Sequence, residues 1–185
     1  LVALDPERAW SDLAEFHQLC ALRDPARRPD ALRQAVELYR GPFLSGFALP
    51  DCPEFEAWAL QEQAALERAY LEALEALVEA CAARGALAEA IAYAQRYLET
   101  DALAEKVYLR LIQLYARQGD RNAALRQFER CVTVLERELG VSPLPETRSA
   151  YEAVLRGGPG GPHLPAPLPP PEGTSLPSLD APFVG

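Results

Sequence analysis

The sequence predicts an all-α protein built of tetratricopeptide-like antiparallel helix pairs, about seven helices in all. Three observations carry that expectation. Of 17 prolines, six lie between Pro6 and Pro53, none between Glu54 and Ser142, and eleven beyond. The proline-free stretch is rich in Ala, Leu, Glu and Arg, residues that lose little on entering a helix, and its apolar positions recur at helical spacing. Shifting the chain by 34 residues lays it on itself. No segment alternates like a strand.

The elements follow from caps and breakers. Asp12, with Glu15 three residues on, resembles a capping box ahead of Leu13, Phe16 and Leu19 on one face. Asp30 is the expected cap of a helix from Ala31 to Tyr39, stopped at Gly41-Pro42. A long helix is expected from about Phe55 to Ala83, with Trp58, Leu66, Tyr70, Leu74 and Leu77 on its apolar stripe and Gly85 closing it. Helices over Leu87–Thr100, Leu103–Gln118 and Arg121–Leu139 come next, punctuated by Gly119-Asp120 and Gly140. Pro145 opens the last one, through Arg156. From Gly157 onward the chain holds nine prolines, two acids and no bases. Such a stretch cannot bury a core and favours extended, disordered backbone.

In the 34-residue register Leu77 falls on Leu111, Cys81 on Tyr115, Ala82 on Ala116, Gly85 on Gly119, Ala90 on Ala124, Ile91 on Leu125, Ala94 on Phe128 and Arg96 on Arg130. A helix-turn-helix unit of this period is the tetratricopeptide signature. Gly85 and Gly119 permit the tight turn, and Ala90 and Ala124 let paired helices press together. The register also assigns an inner face. Glu72, Glu75, Glu79 and Ala82 line one wall, Lys106, Leu109, Gln113 and Arg117 the other. These charges either solvate the helices and pair across the groove, or form a short bipolar peptide-binding groove.

The 185 residues carry a net charge of -9, with a pI near 4.8, which argues against a free-standing nucleic-acid binder. Arg110, Arg117, Arg121, Arg126, Arg130 and Arg137 cluster, but Asp120, Glu129, Glu136 and Glu138 nearly cancel them, so duplex DNA is expected not to bind this chain alone. No apolar run approaches the ~20 residues of a membrane span. Cys20, Cys52, Cys81 and Cys131 lack the spacing of a redox or zinc motif and read as reduced core residues of a cytoplasmic protein. Catalytic constellations are missing. His17 is expected to be exposed on its helix and His163 lies in the tail; the row Glu72, Glu75, Glu79 lacks the Glu-x-x-His partners of a bundle metal site. No enzyme activity, cofactor or metal is expected. The chain contains no methionine, so further sequence is expected before Leu1, or an initiator was trimmed.

Three segments together resemble one family: LYRGPFLSGF at residues 38–47, the run from Trp58 through LYARQGDRNAALRQFERC, and LERELGVSPLPETRSAYEAVLRG at 135–157. They are similar to the bacterial transcriptional activator domain of SARP-type and related bacterial regulators. That resemblance implies a non-enzymatic helical module following a winged-helix DNA-binding domain and supporting activation through protein contacts or oligomerisation. It divides the chain into a linker from a winged-helix domain (1–9), the activator domain (10–157), and a Pro/Gly-rich linker (158–185) whose LDAPFVG resembles the lead-in to a regulatory ATPase domain. Expected partners are the protein's own DNA-binding domain, a downstream domain, the transcription machinery, or a second copy. The alternative is a tetratricopeptide scaffold or adaptor without a transcription role. Two departures stand out: Leu144 replaces the usual Ser cap before Pro145, and Ala102 replaces the usual inter-repeat proline.

Overall fold

A computed structural model describes residues 11–24 and 26–157; the expected linkers at 1–9 and 158–185 lie outside the described residues. Seven helices follow one another: α1 (Asp12–Ala21), α2 (Arg28–Leu38), α3 (Pro53–Ala83), α4 (Leu87–Thr100), α5 (Glu105–Gln118), α6 (Arg121–Leu139) and α7 (Pro145–Leu155). Each packs on the next, and α7 lies against both α5 and α6. Among the described residues there is no strand. The all-α tetratricopeptide-like expectation holds.

The 34-residue register is visible in backbone geometry. At the first turn Gly85 N–H donates to Ala82 O and Ala86 N–H to Cys81 O; at the second, Gly119 N–H donates to Ala116 O and Asp120 N–H to Tyr115 O. Each bond is its counterpart displaced by one repeat. Gly85 at φ 79° and Gly119 at φ 86° occupy the left-handed region that this closure requires. Ala90 and Ala124 are fully buried, where a longer side chain would hold the helices apart. The core between them holds Leu74, Leu77, Cys81, Ala94, Tyr108, Leu111 and Leu114.

Local expectations need correction at several points. Ser11, not Asp12, caps α1: its hydroxyl accepts from Ala14 N–H at 3.4 Å. Asp30 sits inside the first turn of α2, which begins at Arg28 because Pro29 suits that turn; its carboxylate takes Arg33 at 2.9 Å. Pro53 likewise starts α3 two residues early. α5 starts at Glu105 rather than Leu103, because the Asp101 carboxylate accepts from Leu103 N–H at 3.0 Å and holds a turn there. α7 has no side-chain cap of its own, as Leu144 implied. Glu105 of α5 instead accepts from Leu144 N–H at 2.7 Å, supplying across the fold the bond a capping box makes locally. Trp58 leaves the expected buried stripe and is 46% exposed. Cys81 and Cys131 are core residues; Cys20 and Cys52 are only half-buried. His17 is exposed.

Arg96 ties α4 to the two helices before it. Its Nε donates to Tyr70 Oη at 2.6 Å and its Nη1 to Glu37 at 2.7 Å, while Nη2 donates to Val36 O. One side chain of α4 thus binds α2 and α3, and Tyr39 stacks on Tyr70 with ring centroids 4.1 Å apart.

Candidate functional site

A trough runs between α3 and α5. On α3, Glu75 and Glu79 are spaced by one turn; on α5, Lys106 and Arg110 repeat that spacing. They meet as two rungs: Lys106 Nζ lies 2.7 Å from Glu75 Oε2, and Arg110 Nη2 lies 2.6 Å from Glu79 Oε2. Arg110 also donates to Gln113 Oε1 at 3.3 Å. At the far end Arg117 Nη2 donates to Ala82 O at 3.1 Å. Five of the expected groove residues, Glu75, Glu79, Lys106, Gln113 and Arg117, are therefore brought together along the α3–α5 seam. Leu109 is half-buried beside them, and Ala82, expected on the open wall, is buried with only its carbonyl used. The sequence groups Arg110 only with an arginine cluster offset by neighbouring acids. Its four-residue spacing from Lys106, matching that of Glu79 from Glu75, is the signal that identifies it.

The rungs fasten one end of the trough and leave the other open. Beyond Lys106 a cleft of about 580 Å³ is lined by Leu60, Ala64, Leu71, Tyr97 and the carboxylates of Glu67 and Glu72. Leu60 is 67% exposed. Glu67 and Glu72 form no ion pair with the described residues. Lys106 sits over the Tyr97 ring, 5.8 Å from its centroid, and the bond to Glu75 raises the ammonium above the ordinary lysine range. Burial raises the Tyr97 hydroxyl as well. The cleft thus offers apolar surface, the carboxylates of Glu67 and Glu72, the guanidinium of Arg68, and a lysine already engaged by Glu75. It holds no paired nucleophile and base, and among the described residues no group of three or more His, Cys, Asp or Glu side chains could hold a metal ion. No described helix is long and apolar enough to cross a membrane.

The model of the bacterial transcriptional activator domain matches residues 5–155, most of the chain. The chain belongs to that family. Among solved structures it is similar to Mycobacterium tuberculosis EmbR, determined in complex with a low-affinity phosphopeptide, at 28% identity and a TM-score of 0.56. The alignment covers 80% of this chain and 37% of that one, so the match spans little over a third of EmbR. No curated protein matches. This activator domain is accordingly a module of a transcription regulator, with the SARP-type resemblance read from LYRGPFLSGF and its companion motifs standing in the fold as α2 with its exit loop, the α3–α6 repeats, and α7.

Proposed function

We propose that this activator domain is a non-enzymatic effector module that works through protein contacts, with the α3–α5 trough receiving a segment of a partner. The observation that carries the reading is the division of the trough. Its ion-paired end fixes the helix spacing, while its open end presents Leu60 and Leu71 over the buried Tyr97, beside Glu67, Glu72 and Arg68. Glu72, Glu75, Glu79, Lys106, Leu109, Gln113 and Arg117 are the residues that line or brace it. The partner is the regulator's own DNA-binding domain, a domain downstream, the transcription machinery or a second copy. The net charge of -9 supports leaving DNA contact to another part of the regulator.

A photocrosslinking residue placed at Leu60 or Gln113 in the complete regulator, bound to promoter and RNA polymerase, tests this. Protein adducts from both positions, absent when the same residue replaces exposed Glu138 on α6, are the expected result. Adducts to DNA, or none from the trough, would refute it.

A further inference from the structure

The loop at residues 40–52 and the Phe55 and Trp58 side of the first half of α3 form a second face. No residue of α3 before Leu66 is buried, so 13 residues, about 20 Å of helix, stand with their outer side unpacked. Aromatic rings accumulate there instead. Phe43 meets Trp58 edge-on at 5.8 Å, Phe47 meets Phe55 edge-on at 5.8 Å, and Phe55 lies 5.6 Å from Trp58. Phe47 is 57% and Trp58 46% exposed. Exposed aromatics held in fixed mutual geometry are the usual anchors of protein interfaces. The loop that presents them is strained: Leu44 at φ 53° and Asp51 at φ 61° adopt left-handed backbone without being glycine. Beside the rings opens a cleft of about 460 Å³ floored by Leu13, Phe16, Tyr39 and Leu66, wide enough to seat an apolar side chain.

The charge around this face is mainly negative, although Arg40 at the start of the loop lines the cleft beside it. Glu54 and Glu62 stand one helical turn before and after Trp58, and Asp51 closes the loop at its edge. None of the three forms an ion pair with the described residues, whereas Glu75 and Glu79 along the same helix are both neutralised. We infer that this aromatic face is a docking site for a protein segment that carries apolar side chains flanked by lysines or arginines. Its apolar side chains cover the rings and enter the cleft, and its cations meet Asp51, Glu54 and Glu62.

Trp58 reports on its own site. Trp10 is the other of two tryptophans, so a Trp10→Phe chain leaves Trp58 as the sole emitter. The probes are two synthetic 18-residue amphipathic helices with the same leucine stripe, one flanked by lysines and its twin by glutamates. The lysine peptide should shift Trp58 emission to the blue, shield it from acrylamide, and bind at least about tenfold more tightly than its twin at low salt. Adding Glu54→Gln and Glu62→Gln should bring the two peptides within about threefold of each other, and Phe47→Ser should weaken the lysine peptide about tenfold, each with an unchanged melting temperature. Glu136→Gln with Glu138→Gln on α6 should change neither affinity. Equal binding of the two peptides, or indifference to Phe47→Ser, would overturn the inference. So would a Trp58 already shielded in the protein alone, whether by a second copy (concentration-dependent) or by residues 1–10 (abolished on their removal).

Discussion

The half of the domain after Leu66 and the half before it are held by different means. From Leu66 to α6 small residues sit at helix crossings, glycines turn the chain, and every helix has a buried stripe, while α7 buries Thr147 alone. Before Leu66, α1 and α2 still bury Phe16, Leu32, Ala35 and Val36, but in the segment that follows them the contacts are aromatic and half-exposed, the loop is strained, and none of the first 13 residues of α3 is fully buried. A repeat fixes its own interior, because each unit supplies the surface its neighbour needs. The 40–52 loop and the start of α3 have no such neighbour, and their aromatic groups are left for another surface.

Substituting the same residue in both halves sharpens this contrast most. Ala124→Leu adds three carbons at a site of zero exposure and should cost about 1–3 kcal/mol or more in chemical denaturation. Ala57→Leu, on the exposed first half of α3, should stay within about 0.5 kcal/mol of the parent. Ala116→Leu, half-buried beside the trough, should fall much nearer to Ala57 than to Ala124. Equal losses at Ala116 and Ala124 would break the repeat register. Next comes the joint between the halves. Arg96→Ala removes three hydrogen bonds spanning α2, α3 and α4 and should cost about 1.5–3 kcal/mol, with hydrogen exchange in α1 and α2 quickened more than in α5 and α6.

Gly119→Ala places a Cβ at φ 86°, where nothing crowds it sterically. The loss of about 1 kcal/mol expected by calorimetry is therefore backbone strain alone. Lys106→Ala should be smallest, about 0.2–1 kcal/mol, since both partners of the Glu75 rung are half in water. Its sign against pH is fixed. The bond to Glu75 raises Lys106 in the folded state above its ordinary 10.5, so the contribution is full below that value and disappears as pH rises through the folded value. Parent and Lys106→Ala denaturation curves should converge in strong alkali; a gap that persists there would mean the stem's packing on Tyr97, not the ion pair, is what the lysine supplies.

The repeat half was legible because its causes are local and recur: Gly85 and Gly119, Ala90 and Ala124 each announce a geometry that their partner confirms. α4 and α6 match their expected bounds to the residue. The trough was legible in composition and in the expectation that its charges pair across it, but not in the rung from Arg110 to Glu79, which joins residues 31 apart across two helices. The aromatic face was not found as a site. Phe43, Phe47, Phe55 and Trp58 sit within 16 residues, yet Trp58 at a helical apolar position has the same pattern whether it faces a core or solvent. Only the missing neighbour for the first half of α3 distinguishes the two. The Glu105 bond to Leu144 was equally invisible, because a cap borrowed from another helix leaves no spacing to read.

Stacking each helix chiefly on its sequence neighbours also shapes how the chain comes apart and reforms. Contacts that close over one or two helices demand little loop entropy, which favours folding in the microsecond-to-millisecond range over slow barrier crossing. Unravelling should be graded along the chain rather than all at once. α7, which touches two helices, is the firmer stop, while α1, leaning mainly on α2, is the end that frays first.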